Sequence, residues 1–199
     1  KNKITHLITV SCTGMSAPGL DLQIMELMGL PENIFRTSVN FMGCYAAIHA
    51  LKLGDALCQS TLNANVVIVC TELCTAKGFL MTLSGYVPNL VEQDYDNLVN
   101  KALQNSLLDK SEITHWCIHP GGKKILEAIE KSILLPQGSL AHSYNVLKDY
   151  GNMSSPTILF VLQNIFDELK GQRENNKAKI FGAAFGPGLT METFIASYD

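Results

Sequence analysis

The chain lacks several sequence features that would place it in a broad functional class. Only 17% of its 199 residues are charged, the net charge is −3, and no block of lysine and arginine suggests a nucleic acid or an anionic membrane as partner. No apolar run is long enough to cross a bilayer, and Lys1–His6 has no signal-peptide pattern. We therefore expect a soluble, cytoplasmic protein that binds neither nucleic acid nor membrane.

The cysteine pattern of a disulfide framework or a zinc site is missing as well. The six cysteines mostly lie within apolar segments, and Cys70 and Cys74 have no second pair of Cys or His residues nearby. The pattern predicts reduced thiols, an intracellular location and no bound metal.

Alternating strand and helix patterns in the first part of the chain predict a parallel β-sheet covered by helices. Ile4–Ser11 and Asn65–Cys70 are rich in β-branched residues, as buried strands are, and Leu20–Met28 between them has helical spacing. Asn33–Asn40 leads into a further helix that ends near Gln59. Within the first helix we expect core positions for Leu22, Met25 and Met28.

The rest of the chain is also a mixture of helices and strands, and the whole is long enough for one large domain or two small ones. Spacing predicts helices at 94–108, 123–133, 139–148 and 156–170, a strand at 113–118, and a strand pair at 179–185 and 191–197.

Cys44 is the first candidate for a catalytic residue, because it follows Gly43 where a polar run gives way to a helical pattern. A cysteine at a helix start faces unpaired backbone N–H groups and the positive end of the helix dipole, which favour the nucleophilic thiolate. Gly43 permits a tight turn before the helix. From spacing alone, however, a buried structural cysteine is the more common outcome, since cysteine is among the most buried residue types.

Two later stretches supply partners for such a thiolate. His119 ends a short apolar strand before Pro120-Gly-Gly122, and Asn152 lies in the polar loop Tyr150–Ser155. A thiol, an imidazole and an amide form the set expected for thiol catalysis, and their order along the chain is free. Glu72, at the end of a predicted strand, is expected to make a polar structural contact.

Four motifs together resemble signatures of the type III polyketide synthases, the chalcone synthase-like enzymes of the thiolase superfamily. They stand in the family's order at Gly43-Cys-Tyr-Ala46, His119-Pro-Gly-Gly122, Tyr150-Gly-Asn-Met-Ser-Ser155 and Phe185-Gly-Pro-Gly-Leu-Thr190. The resemblance implies a thiolase-like, layered αβαβα fold and a homodimer. Residues 1–77 would belong to the N-terminal half with the nucleophilic cysteine, and residues 78–199 to the C-terminal half with the histidine and the asparagine.

The resemblance also implies that parts of both halves are missing from the given chain. Sequence that precedes Lys1 in the family is absent, and a long family segment has no counterpart near Ala76–Lys77. Deleting central strands would leave their backbone groups unpaired. We therefore expect that residues are missing from the sequence near Ala76–Lys77, in which case the intact mass would exceed 21.8 kDa.

The implied reaction is the iterative decarboxylative Claisen condensation of malonyl-CoA onto a starter acyl-CoA, with coenzyme A thioesters as substrates and no bound cofactor. Cys44 would carry the acyl group, while His119 and Asn152 would stabilise the thiolate and the developing enolate. Met81 stands where plant members carry a gatekeeper phenylalanine, and for Cys12 and Cys74 core packing is an equal alternative. The substrate-binding positions implied by the resemblance are Cys12, Cys74, Thr75, Met81, Gly186, Pro187 and Gly188.

Two other functions stay open at this point. The ketoacyl-ACP synthase of fatty-acid initiation shares the Cys-His-Asn set, although Pro120-Gly-Gly122 and Pro187 favour the polyketide interpretation. A truncated, non-catalytic relative would be a binding partner only, and the intact set of Cys44, His119 and Asn152 argues against it.

Overall fold

The computed structural model describes residues 3–73, 87–171, 177–186 and 190–199. Two compact units can be separated in it. The first comprises Lys1–Leu80 and Ser154–Pro156, and the second comprises Met81–Met153 and Thr157–Asp199.

Within its described residues, the first unit contains a three-stranded parallel sheet, as the alternation of strands and helices predicts. Its strands are β1 (His6–Ser11), β2 (Phe35–Asn40) and β3 (Val66–Cys70), in the order β2-β1-β3. Thr9 pairs with Ser38 and Val10 with Cys70, so the carboxyl ends of the strands lie at one edge of the sheet. The helices are α1 (Leu20–Met28) and α2 (Ala46–Ser60).

The central strand β1 is buried on both faces, which explains its continuous apolar sequence. Leu7 packs in a cluster with the half-buried Met25 and Met28 of α1, whereas Ile8 and Val10 pack in the cluster that contains Ala46 and Ala50 of α2. The predicted core position of Leu22 is wrong, because its side chain is 41% exposed and α1 has no fully buried residue.

The part of the second unit that the structure describes combines four helices with a mixed sheet. The helices are α3 (Val87–Asn105), α4 (Lys123–Ser132), α5 (Ala141–Tyr150) and α6 (Thr157–Gly171), and Lys110–Glu112 forms a 3₁₀ turn. The strands are β4 (His115–Ile118), β5 (Ala178–Gly186) and β6 (Thr190–Tyr198). Their order is β4-β5-β6, with β4 parallel and β6 antiparallel to β5, so the predicted strand pair at the end of the chain is confirmed.

The predicted bounds of α3 were wrong at both ends. The helix starts at Val87 rather than Asp94, because Pro88 is accommodated in the first turn, where its missing N–H is not needed. It ends at Asn105 rather than Leu108, because Leu107 has a left-handed φ of 55° and Leu108 N donates back to Leu103 O (3.0 Å).

The core of the second unit lies between α3, α4 and one face of the sheet. Tyr95 and Val99 of α3, Leu126 and Ile129 of α4, and Phe181 of β5 are all at most 1% exposed. Trp116 and Phe181 on the paired strands β4 and β5 pack with ring centroids 5.3 Å apart. No helix within the described part of the chain is both long and apolar enough to cross a membrane.

Candidate active site

Cys44 lies in a tight turn just before α2. Gly43 has a φ of 86°, a left-handed conformation that glycine adopts without a steric penalty, and Ala46 N donates to Gly43 O at 3.1 Å. The helix therefore starts two residues after Cys44, close to the predicted position. The Cys44 side chain is buried, with 9% of its surface exposed.

The Cys44 thiol contacts a serine hydroxyl of the loop before α6. Cys44 Sγ donates to Ser154 Oγ at 3.8 Å. Ser154 itself has a φ of 63°, an uncommon conformation for a residue with a side chain, and is buried. If the sulfur is deprotonated, the hydroxyl is able to donate to it instead, which would favour the thiolate.

The neighbouring Ser155 connects the same loop to the end of β3. Its hydroxyl donates to Glu72 Oε1 at 2.9 Å, and Glu72 Oε2 accepts from Cys12 N at 2.9 Å and from Thr13 Oγ1 at 2.7 Å. The polar structural contact predicted for Glu72 is thus confirmed. Sequence reasoning missed Thr13, Ser154 and Ser155 as members of this group, although both serines belong to the recognised loop motif.

Cys12 lies against the turn that carries Cys44. Gly43 N donates to Cys12 Sγ at 3.1 Å, and Cys12 Sγ contacts Gly43 O at 3.6 Å. Burial, together with the negative charge of Glu72, raises the pKa of the Cys12 thiol, so Cys12 is a poor nucleophile of its own. Its sulfur acts as an acceptor for the turn, and a contact of Cys12 with substrate stays a prediction.

His119 directly follows β4, as predicted, and is held by the sheet. Its backbone N donates to Ala183 O at 2.9 Å, and only 1% of the residue is exposed. Neither Nδ1 nor Nε2 has a hydrogen-bond partner within the described residues. Burial lowers the pKa of His119 to about 4, so the imidazole by itself is neutral near pH 7.

Asn152 lies in the loop after α5 and reaches the turn that follows His119. The helix ends with Gly151 (φ 72°), and Asn152 Nδ2 donates to Gly121 O at 3.3 Å. Gly121 N in turn bonds to His119 O at 3.0 Å. The second unit therefore brings His119 and Asn152 into neighbouring loops, and Asn152 is an exposed residue.

Several predicted substrate-binding positions lie outside the described residues and stay predictions. Gly186 is described: it ends β5 and pairs with Thr190 of β6. No group of three or more His, Cys, Asp or Glu side chains among the residues described could hold a metal ion. The positions outside the described ranges are Cys74, Thr75, Met81, Pro187 and Gly188, and so is the predicted junction at Ala76–Lys77.

Comparison with solved structures shows where this fold occurs. PKS-I from the brown alga Ectocarpus siliculosus aligns with 98% of this chain and 68% of its own, at 23% identity and a TM-score of 0.88. The C-terminal type III polyketide synthase domain of Steely1, a type I/III hybrid from Dictyostelium, aligns with 98% of this chain and 70% of its own, at 22% identity and a TM-score of 0.84. The thiolase-like fold class implied by the sequence is confirmed.

Comparison with protein families covers nearly all of the sequence. Residues 1–106 match the N-terminal domain of the chalcone and stilbene synthases, and residues 57–197 match their C-terminal domain. Each match extends over more than half of the chain, and the two overlap at 57–106. The chain belongs to the chalcone and stilbene synthase family of type III polyketide synthases.

Proposed function

We propose that the protein catalyses the iterative decarboxylative Claisen condensation of malonyl-CoA onto a starter acyl-CoA, with Cys44, His119 and Asn152 as the catalytic residues. The observation that carries the proposal is the environment of His119. A buried imidazole without a hydrogen-bond partner among the described residues is costly. The cost is explained if the ring nitrogens form their hydrogen bonds with a reacting group during catalysis.

The first step is the transfer of the starter acyl group to Cys44. The thiolate attacks the thioester carbonyl, the new C–S bond forms, and the bond to the sulfur of coenzyme A breaks. Because burial alone keeps His119 neutral, an imidazolium at this position requires a nearby anion, and the Cys44 thiolate is the anion that we propose. The imidazolium proton is then available to the leaving thiolate of coenzyme A.

The second step is the decarboxylation of malonyl-CoA. The C–C bond to the carboxylate breaks, CO₂ leaves, and the electron pair forms an enolate with its charge on the thioester oxygen. The imidazole N–H of His119 and the amide N–H of Asn152 would donate to that oxygen. A carboxylate in place of Asn152 would repel the developing charge, so the residue type agrees with the role.

The final step joins the two fragments. The enolate carbon attacks the acyl carbon on Cys44, the thiolate leaves, and the extended chain stays on coenzyme A until it is reloaded for another round. We propose that coenzyme A thioesters are the only small molecules needed, without a bound cofactor, and that the enzyme is a cytoplasmic homodimer.

Intact-protein mass spectrometry with malonyl-CoA and a panel of acyl-CoA starters tests this proposal. We expect an acyl adduct on the wild type and on Cys58→Ala, which removes an exposed thiol of α2, the helix that follows Cys44. Cys44→Ala should give neither adduct nor polyketide. Loading that persists in Cys44→Ala would overturn the assignment of the nucleophile.

Product length separates the proposed activity from its alternatives. Several extensions per starter are expected of a polyketide synthase, whereas one extension on an acyl carrier protein would indicate a ketoacyl synthase. A chain that loads no starter from the panel, while its mass agrees with the short form, would indicate a non-catalytic relative.

A further inference from the structure

Four segments of the first unit are linked to one another around Cys44. Cys44 Sγ contacts Ser154 Oγ (3.8 Å), and Ser155 Oγ donates to Glu72 Oε1 (2.9 Å). Glu72 Oε2 accepts from Cys12 N (2.9 Å), and Cys12 Sγ accepts from Gly43 N (3.1 Å). Because Gly43 precedes Cys44 and Ser154 precedes Ser155, these contacts form a closed ring, and Glu72 is its only carboxylate.

The donors around Glu72 leave little freedom in the direction of its hydrogen bonds. Thr13 Oγ1 accepts from Leu73 N at 2.6 Å, so its O–H is directed to Glu72 Oε2. Cys12 N on the same oxygen is a backbone donor. Oε2 is therefore an acceptor for two fixed donors, whereas Oε1 faces the Ser155 hydroxyl, which is able to donate or accept.

The loop held by Ser155 has an unfavourable backbone conformation at the residue that touches the nucleophile. Ser154 has a φ of 63°, and such conformations persist only where the surroundings fix them. Ser155 is fully buried, and its hydroxyl bond to Glu72 fixes the loop directly after Ser154.

We propose that Glu72 is a positioning residue for the nucleophile, which holds the Ser154 hydroxyl against Cys44 through its bond to Ser155. The proposal rests on the function proposed for Cys44. Glu72 touches neither substrate nor reacting atoms in this role. It sets the position of a hydroxyl that contacts the sulfur.

Substitutions can separate the effect of the hydrogen bonds of Glu72 from the effect of its negative charge. In Glu72→Gln, the amide oxygen can accept from Cys12 and Thr13, while the amide nitrogen donates to Ser155, whose hydroxyl reverses its role. The contacts are kept and the negative charge is lost. Ser155→Ala does the opposite, because it breaks the link and keeps the charge. Glu72→Ala removes both.

The test measures the pH profile of Cys44 alkylation by iodoacetamide, followed on the Cys44 peptide by mass spectrometry, beside the rate of acyl loading. In Ser155→Ala we expect the apparent Cys44 pKa to rise by about one unit, because the thiolate loses a hydrogen-bond donor, and loading to fall about tenfold. In Glu72→Gln the apparent Cys44 pKa should not rise, and the starter acyl group should load several-fold faster than in Glu72→Ala.

A matched control keeps simple destabilisation apart from positioning. Asp21→Asn breaks the ion pair with Arg36 (2.6 Å) in the same unit, and neither residue is a member of the ring of contacts. We expect it to lower the melting temperature and to leave the Cys44 profile unchanged. The double variant Ser155→Ala with Glu72→Ala should load no more slowly than Glu72→Ala, since both changes remove the same link.

Three results would overturn the proposal. The first is an unchanged pH profile of Cys44 alkylation in Ser155→Ala, and the second is an equal fall of the loading rate in Glu72→Gln and Glu72→Ala. The third is a fall of the loading rate in the double variant that equals the product of the falls in the two single variants. Alkylation does not require polyketide synthesis. A protein that forms no product but shows the expected Cys44 profiles would therefore contradict the proposed function and keep the role of Glu72.

Discussion

The ring of Phe194 on β6 occupies the space in which a side chain of residue 182 on β5 would have to stand. Gly182 and Phe194 are paired in the antiparallel register, and a Cβ built on Gly182 would collide with ring carbons of Phe194. The aromatic ring thus covers the glycine across the strand pair, an arrangement known to stabilise glycines in sheets. Gly182 is required here for space rather than for a special backbone conformation.

Gly182→Ala should therefore lower the free energy of unfolding by about 1–3 kcal/mol, because the ring of Phe194 is displaced from a packed position. Urea unfolding followed by circular dichroism measures the change. In the Phe194→Leu background, Gly182→Ala should lower the free energy of unfolding by less, since the smaller leucine side chain leaves room for the new Cβ. Equal costs in the two backgrounds would show that Phe194 is not the obstacle.

Two tyrosines of the second unit should respond in opposite directions to the loss of their hydroxyl groups. Tyr95 OH is buried without a hydrogen-bond partner among the described residues, whereas Tyr144 OH donates to Glu130 Oε2 at 2.9 Å. Tyr95→Phe should raise the free energy of unfolding by about 1 kcal/mol, because it removes an unpaired polar group and keeps the ring contact with Phe185.

Tyr144→Phe is the matched control and should lower the same free energy by about 1 kcal/mol, because a hydrogen bond is lost. Both variants are compared with the wild type in one series of urea titrations. A destabilised Tyr95→Phe would mean that this hydroxyl is bonded in solution.

The turn before Cys44 should depend on glycine at position 43. Gly43 has a φ of 86°, so Gly43→Ala places a side chain on a residue in the left-handed conformation. This should lower the free energy of unfolding by about 1–2 kcal/mol. Gly171→Ala at the end of α6 is the control, since no atom of the described residues outside its own helix backbone lies within 4 Å of the added Cβ, and alanine favours the helix.

Thermal unfolding should show a lower midpoint for Gly43→Ala and an unchanged or higher one for Gly171→Ala. Acyl loading should also fall in Gly43→Ala, because the substitution moves the backbone that carries Cys44. A midpoint and a loading rate equal to those of the wild type would show that the turn accepts a side chain.

The elements predicted best from the sequence are those whose ends are marked locally. The bounds of α1 agree with its prediction, because Gly29 takes a left-handed φ of 58° and stops the helix. Parallel pairing of β1 with its neighbours followed from the alternation of strands and helices. By contrast, the exposure of Leu22 depends on what packs against α1, which helical spacing alone does not contain.

The same distinction holds for the candidate site. Cys44 and His119 were predicted because each ends or begins a regular element, a signal carried by neighbouring residues. Ser155 and Glu72 are 83 residues apart in the sequence, and Gly43 and Cys12 are 31 apart. Contacts over such separations are set by how the loops meet in space, and no local pattern in the sequence encodes them.

The buried imidazole of His119 should make the stability of the protein depend on pH in a defined window. Its pKa in the folded state is about 4, below the ordinary value of 6.5, so between these values the unfolded chain binds the proton more tightly. The contribution of the neutral His119 imidazole to the free energy of unfolding is fully present above about pH 6.5 and is lost as the pH falls towards 4. The total loss is up to about 3 kcal/mol.

The Cys44→Ala background is the appropriate one for this measurement, because it removes the thiolate that we propose as the partner of an imidazolium. Urea unfolding between pH 4 and pH 7.5 is compared in Cys44→Ala and in Cys44→Ala with His119→Gln. The difference between the two curves should change by up to about 3 kcal/mol across the window, since glutamine does not titrate. Parallel curves would show that the pKa of His119 is not lowered in the folded state, so that the folded protein takes up the proton as readily as the unfolded chain. The neutral imidazole assumed in the decarboxylation step would then lose its physical basis.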